Sequence, residues 1–171
     1  EIAITGISPS YLIIDPNAVV ITNEDILVET SGGLKEEIAS TGSGLGTALK
    51  NRVSRKTDKI LAKNHSRLSE YIKDSKLFLR NLLDNNERIL IEGTQGYGLS
   101  VLHSEDYPYT TSRDSSAAGF LSEVGLSPFD VDEIIMVIRS FPIRVGGNSG
   151  PLKNEISWND VSHIHGMGEE L

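Results

Sequence analysis

The chain has 171 residues, with 24 acidic against 16 basic side chains for a formal net charge of −8, and no cysteine. The absence of thiols excludes disulfide staples, thiolate zinc sites and a cysteine nucleophile, and fits a reducing compartment such as the cytoplasm. No apolar run approaches the ~20 residues of a membrane span, and the acidic balance argues against a polyanion binder, so neither a membrane nor a nucleic acid is expected as a partner.

A chain of this length usually forms one domain around its own core, and residues 1–171 are read as one α/β unit. Its opening stretch, residues 1–5, looks like the end or middle of a strand, which reads as a fragment of a longer protein. Residues 2–7, 11–14 and 19–22 are short, β-branched-rich runs broken by Ser8-Pro9-Ser10 and Asp15-Pro16, the pattern of buried strands with tight connections. From Asn23 the pattern is acidic and helical until Gly32-Gly33 ends it, and a loop follows. Thr47 begins a helical pattern reaching about Ala62, on which Arg52, Arg55, Lys56, Lys59 and Lys63 recur at spacings of three and four and share one face.

Leu68, Tyr71, Ile72, Leu79, Leu82 and Leu83 keep helical spacing as far as Asp84-Asn85-Asn86, so residues 47–86 read as a helical insertion. Residues 88–91 are a buried-strand candidate running into the glycine-bounded turn Glu92-Gly93-Thr94-Gln95-Gly96. A polar loop over 103–113, a helix from about Ser115 to Glu123, a long strand over 133–140 and the glycine-rich loop 146–151 complete the order, with a short helix capped by Ser157 beyond. Alternation of helices and strands without an internal repeat predicts a mostly parallel central sheet with flanking helices.

Gly42-x-Gly44-x-Gly46 suits either a phosphate cradle or a tight turn, since glycines let backbone N–H groups approach an anion and a helix N-terminus follows. It is neither the dinucleotide fingerprint nor a lysine-terminated P-loop. The basic stripe behind it is either a solvated face or a phosphate contact. Gln95 stands at a strand end, where ligands of α/β sheets gather, and an amide that donates and accepts can read a purine edge; a bland strand-to-helix turn fits equally. Residues 110–116 suit a helix cap, an anion-binding loop, or both. His163 and His165 lie two apart on a predicted helix with no acidic partners, so no metal site is expected in this chain. His103 beside Ser104, Glu105 and Asp106 is read as loop chemistry rather than a triad, which is built in space.

Four stretches together resemble the adenylosuccinate synthetase family. They are Ser40-Thr41-Gly42-Ser43-Gly44-Leu45-Gly46 with Arg52-Val53-Ser54-Arg55-Lys56, Ile91-Glu92-Gly93-Thr94-Gln95-Gly96, Tyr107-Pro108-Tyr109-Thr110-Thr111-Ser112, and Arg144-Val145-Gly146-Gly147. The resemblance implies a P-loop-like synthetase core, here incomplete, in a magnesium-dependent homodimeric ligase of purine nucleotide (AMP) biosynthesis. Such an enzyme joins inosine monophosphate to L-aspartate at the expense of GTP. It phosphorylates the purine 6-oxygen and then displaces that phosphate with the aspartate amine.

Carried over residue by residue, Thr41 and Thr111 resemble hydroxyls on the nucleotide 5′-phosphate, and Arg55 resembles an arginine reaching that phosphate from the partner subunit. Gln95 resembles the amide beside the base, and Val145 with Gly146 resembles the backbone near the ribose. The family's aspartate general base, histidine general acid and late arginine-rich loop have no counterpart in this sequence, so the chain alone is expected to be inactive. The spacing between Arg55 and Arg88 and the run Gly147-Asn148-Ser149-Gly150-Pro151-Leu152 resemble the compact archaeal or phage-like branch. That branch includes enzymes that use deoxyguanylate to make a 2-aminoadenine nucleotide precursor. A non-catalytic nucleotide-binding or dimerisation module is the third reading.

Overall fold

A computed structural model describes residues 2–55, 57–58, 60–140, 144, 146–150, 156–157 and 159–160. Val145, His163 and His165 therefore lie outside the described residues, as do Lys56 and Lys59 of the basic stripe. The described helices are α1 (Ile2–Thr5), α2 (Asn23–Ser31), α3 (Leu34–Ile38), α4 (Leu45–Ser54), α5 (Ser75–Asp84) and α6 (Ala117–Val124).

The helices expected from Asn23 and from about Ser115 form where capping residues fix their starts, and the helical pattern expected from Leu68 becomes an α-helix only from Ser75, again behind a cap. Thr22 and Asp25 make a reciprocal capping box at α2, the Thr22 hydroxyl accepting from the Asp25 N–H at 3.2 Å and Asp25 accepting from the Thr22 N–H at 2.9 Å. Asp74 accepts from the Leu77 N–H at 3.0 Å to begin α5, and Ser116 accepts from the Gly119 N–H at 3.1 Å to begin α6. Residues 159–160 are helical behind Ser157, whose hydroxyl accepts from the Asp160 N–H at 3.2 Å.

Several expectations are corrected. Residues 2–5 form the single helical turn α1 rather than a strand, and α3 occupies part of the stretch expected to be loop. Helix α4 stops at Ser54 rather than about Ala62, because Arg55 turns left-handed at φ 54° and its N–H bonds back to the Arg52 carbonyl. Arg55 and Lys63 therefore do not continue the helical face of Arg52. Residues 62–64 and 66–71 are 3-10 turns, so among the described residues the expected insertion is α-helical only at its two ends.

The parallel central sheet is not formed among the described residues. Only isolated bridges occur, Ile14 with Ile72 in parallel and Val19 with Leu61 antiparallel. Residues 88–92 and 133–139 adopt no helix or turn and have the composition of buried strands, yet no ladder pairs them: Leu90 is 85% exposed, and Ile134, Ile135, Met136, Val137 and Ile138 range from 66% to 91%. A strand is defined by its neighbour, and these apolar runs have none among the described residues.

The expected core is correspondingly thin. Among the described residues the buried apolar side chains are Ala48, Ala62 and Leu121, and the accessible surface of 13424 Å² exceeds the about 8,200 Å² of a compact chain of this size. What packs best is the α2–α4 pair. Gly44 lets the backbone of Ile26 come close, Ala48 is buried, and Asn51 Nδ2 donates to Asp25 Oδ1 at 3.0 Å. A second unit forms around α6, where the ring of Phe120 lies on Gly93 so closely that a Cβ there would stand 2.1 Å from it.

Candidate functional site

The glycine loop leads directly into α4. Gly42 and Gly44 hold φ at 65° and 83°, conformations that L side chains rarely adopt, so two of its three glycines are required by the backbone. Gly46 is required by proximity, since a Cβ there would stand 2.9 Å from Ser112 Oγ. That contact brings the N-terminus of α4 against the loop carrying Thr111. Thr41 is exposed on the glycine loop and Thr111 is half-buried, its N–H donating to the Leu99 carbonyl at 2.8 Å.

The Gln95-Gly96 turn is tied to the same loop. Ser115 Oγ donates to the Gly96 carbonyl at 2.9 Å, and the Val101 N–H donates to the Arg113 carbonyl at 3.1 Å. Gln95 itself is exposed and left-handed at φ 73°, which a non-glycine residue holds only at a cost of roughly 1–3 kcal/mol. Such strain concentrates where a side chain must be aimed.

The last loop closes on the other two. Asn148 Nδ2 donates to the Glu37 carbonyl at 2.6 Å, and Gly147 lies against Ala39, next to Ser40 and Thr41. Arg144, given no role from sequence, fastens the loop: it donates to Asp106 at 2.5 Å, to the Ser149 carbonyl at 3.0 Å and to the Tyr109 carbonyl at 3.3 Å. Segments 39–46, 95–96 and 106–115, with Arg144 and residues 146–150, thus form one connected cluster. It carries Thr41, Gln95, Thr111 and Gly146.

Arg55 is not in that cluster. It sits past the C-terminal end of α4, a ten-residue helix about 15 Å long, and lines an open cleft with Arg52, Thr57 and Asp58. Arg52 Nη1 donates to the Asn17 carbonyl.

Asp114, within the 110–116 run, has a definite set of partners, and Asp25 and Glu29 escape the sequence reading altogether. Asp114 accepts from Ser116 Oγ at 2.7 Å, from the Ser116 N–H at 3.0 Å and from the buried Ser100 hydroxyl at 2.9 Å. These bonds, led by the Ser116 hydroxyl, hold its carboxyl below the usual range. Asp25 and Glu29 are nearly fully buried, at 4% and 5% exposure, although both lie on a helix that exposes Leu27 and Val28. Their spacing of four residues on one helical face is the available signal. His103 stacks on Tyr97 with ring centroids 5.6 Å apart and places Nε2 3.9 Å from Asp114.

Solved structures share this backbone. The chain aligns with the succinoaminodeoxyadenylate synthetase of cyanophage S-2L, determined with dGMP and with dATP as an energy donor, at TM-score 0.70 and 33% identity over 84% of this chain and 44% of that one. It aligns with the fully ligated adenylosuccinate synthetase of Plasmodium falciparum at TM-score 0.76 and 22% identity, over 91% of this chain and 46% of that one. The fold is that of a synthetase.

A profile of the adenylosuccinate synthetase family matches residues 57–171. The adenylosuccinate synthetase of Pyrococcus horikoshii is 38% identical over 147 residues, which are 86% of this chain and 42% of the relative. That of Methanococcus aeolicus is 40% identical over 158 residues, 92% of this chain and 45% of the relative. The chain belongs to the adenylosuccinate synthetase family, and it spans less than half the length of these relatives.

Proposed function

We propose that the full-length protein joins L-aspartate to inosine monophosphate using GTP, in purine nucleotide biosynthesis. The observation that supports this reading is that the loops carrying Thr41, Gln95, Thr111 and Gly146 are tied to one another, with Gly46 at the start of α4 against Ser112. Two hydroxyls, the N–H groups of a glycine loop and the positive end of a helix dipole suit a dianionic 5′-phosphate. The Gln95 amide meets the base edge, and the backbone of Gly146 meets the ribose. Arg55, at the far end of α4, serves the phosphate of a partner subunit in a homodimer.

In the reaction, GTP transfers its terminal phosphoryl group to the purine 6-oxygen and leaves as GDP. The aspartate amine then forms a bond to C6, and inorganic phosphate departs with that oxygen. The aspartate base and histidine acid that the family pattern implies are matched by no residue identified in this sequence. The magnesium implied by the family finds no set of three His, Asp or Glu side chains among the described residues, so no step here is routed through it. Likewise, no described helix is long and apolar enough to cross a membrane.

A second reading, deoxyguanylate in place of inosine monophosphate, is favoured by the likeness to the dGMP-bound phage enzyme. Steady-state turnover of the full-length protein with aspartate and GTP separates the two. Product with inosine monophosphate supports the first reading, and product only with deoxyguanylate supports the second. Binding of a monophosphate without turnover of either would leave a nucleotide-binding module.

A further inference from the structure

We infer that Glu29 is a positioning residue that holds the Thr41 loop and the Thr111 loop in register for a shared phosphate, an inference that rests on the nucleotide site proposed above. Glu29 lies in α2, underneath both loops. Its Oε1 accepts from the Ser40 hydroxyl at 2.8 Å, and the Ser40 oxygen in turn accepts from the Gly42 N–H at 3.2 Å. Thr41 stands between these two anchored residues, so the carboxylate sets the height of its hydroxyl through Ser40.

The second oxygen is the distinctive feature. Glu29 Oε2 is buried and has no hydrogen-bond partner among the described residues, a costly arrangement for a carboxylate. It lies 3.6 Å from the point where a Cβ on Gly46 would stand, and Ser112 Oγ lies 2.9 Å from the same point. Thus one carboxylate has an oxygen committed to the Thr41 loop and an oxygen open toward the residue after Thr111. When the two threonine hydroxyls close on a phosphate, the Ser112 hydroxyl is the nearby donor that satisfies Oε2.

A purely structural acid would be expected to have both oxygens satisfied, or to give way to an apolar side chain of similar size. Here α2 buries Asp25 and Glu29 while leaving Leu27 and Val28 in solvent, so loop placement rather than burial of apolar surface decides which face points inward.

The test uses the full-length protein, with inosine monophosphate and GTP titrated separately by calorimetry. Ser40→Ala and Glu29→Leu should each weaken the monophosphate about tenfold, as expected for loss of a hydrogen bond to a charged group, and leave GTP within about twofold. Glu29→Gln keeps an acceptor for Ser40 and should retain most of the affinity. Because both residues act in one chain of contacts, the double variant Ser40→Ala/Glu29→Leu should also lose about tenfold rather than a hundredfold. If Glu29→Leu fails to fold, Ser40→Ala and Glu29→Gln decide. Unchanged monophosphate affinity in Ser40→Ala, or equal weakening of GTP, overturns the role and leaves the nucleotide site standing. A wild-type protein that binds neither inosine monophosphate nor deoxyguanylate overturns the site itself and the role of Glu29 with it.

Discussion

Gly44 and Arg55 close opposite ends of α4 in the same left-handed backbone region, at φ 83° and 54°. At the first end the helix begins under the glycine loop and faces Ser112; at the second it delivers an exposed arginine to a different part of the surface. One helix therefore separates the glycine loop from Arg55 by about 15 Å. A single ligand phosphate cannot touch both in one chain.

Gly44 should tolerate no side chain. Its φ already excludes alanine comfortably, and a Cβ would stand 2.8 Å from Ile21 Cγ2 and 2.9 Å from the Ile26 nitrogen. Gly44→Ala in the full-length protein should lower stability by about 2–4 kcal/mol, combining left-handed strain with overpacking. Urea unfolding measures it, and a midpoint equal to wild type would remove the close α2–α4 approach from the account.

Gln95 should separate stability from activity. Gln95→Gly relieves the strain of φ 73° and should raise the unfolding midpoint, while removing the amide from the base. The same variant should lose about tenfold to a hundredfold in kcat/KM, the value of one or two specific hydrogen bonds. Gln95→Ala keeps the strain and should lose similar activity without the gain in stability. Wild-type kcat/KM in both variants would make Gln95 a turn residue only.

Acid should loosen the α6 cap through Asp114. Its carboxyl is held below the usual carboxylate value, chiefly by the Ser116 hydroxyl, so the folded state binds this proton less readily than the unfolded chain. The stabilisation is therefore present above the unfolded value of about 3.9 and is lost as pH falls through the lower folded value. In urea titrations between about pH 6 and pH 3, wild type should lose more stability at the acid end than Asp114→Asn. Identical acid slopes would contradict this.

How much of this was legible in the sequence depended on whether the cause was local. The glycine loop, the cap at Ser116 and the Gln95 turn are local backbone chemistry, and they appear where the residues placed them or close by, whereas the caps at Thr22 and Asp74 were found only in the structure. The end of α4 was not legible, because no glycine or proline marks position 55 and the basic residues keep helical spacing beyond it. The buried face of α2 was also hidden. Apolar Leu27 and Val28 suggest the inward side, but the contacts of Asp25 with Asn51 and of Glu29 with Ser40 turn the acidic side in. Residues 88–91 and 133–140 have strand composition, yet a ladder is made by a distant partner that no local pattern identifies.

The most direct test of a site divided between the two ends of α4 is complementation between two impaired full-length variants, assayed at limiting monophosphate. Arg55→Leu should raise KM for the monophosphate far more than KM for GTP, since the charge-assisted phosphate contact is lost only there. Mixed with Gln95→Ala after verified subunit exchange, it forms hybrid dimers in which one site combines an intact Gln95 with an intact Arg55 from the other chain. The account predicts that the mixture recovers part of the wild-type turnover. A mixture no more active than its two parents would show that Arg55 serves its own chain or only the surface, and would contradict the divided site.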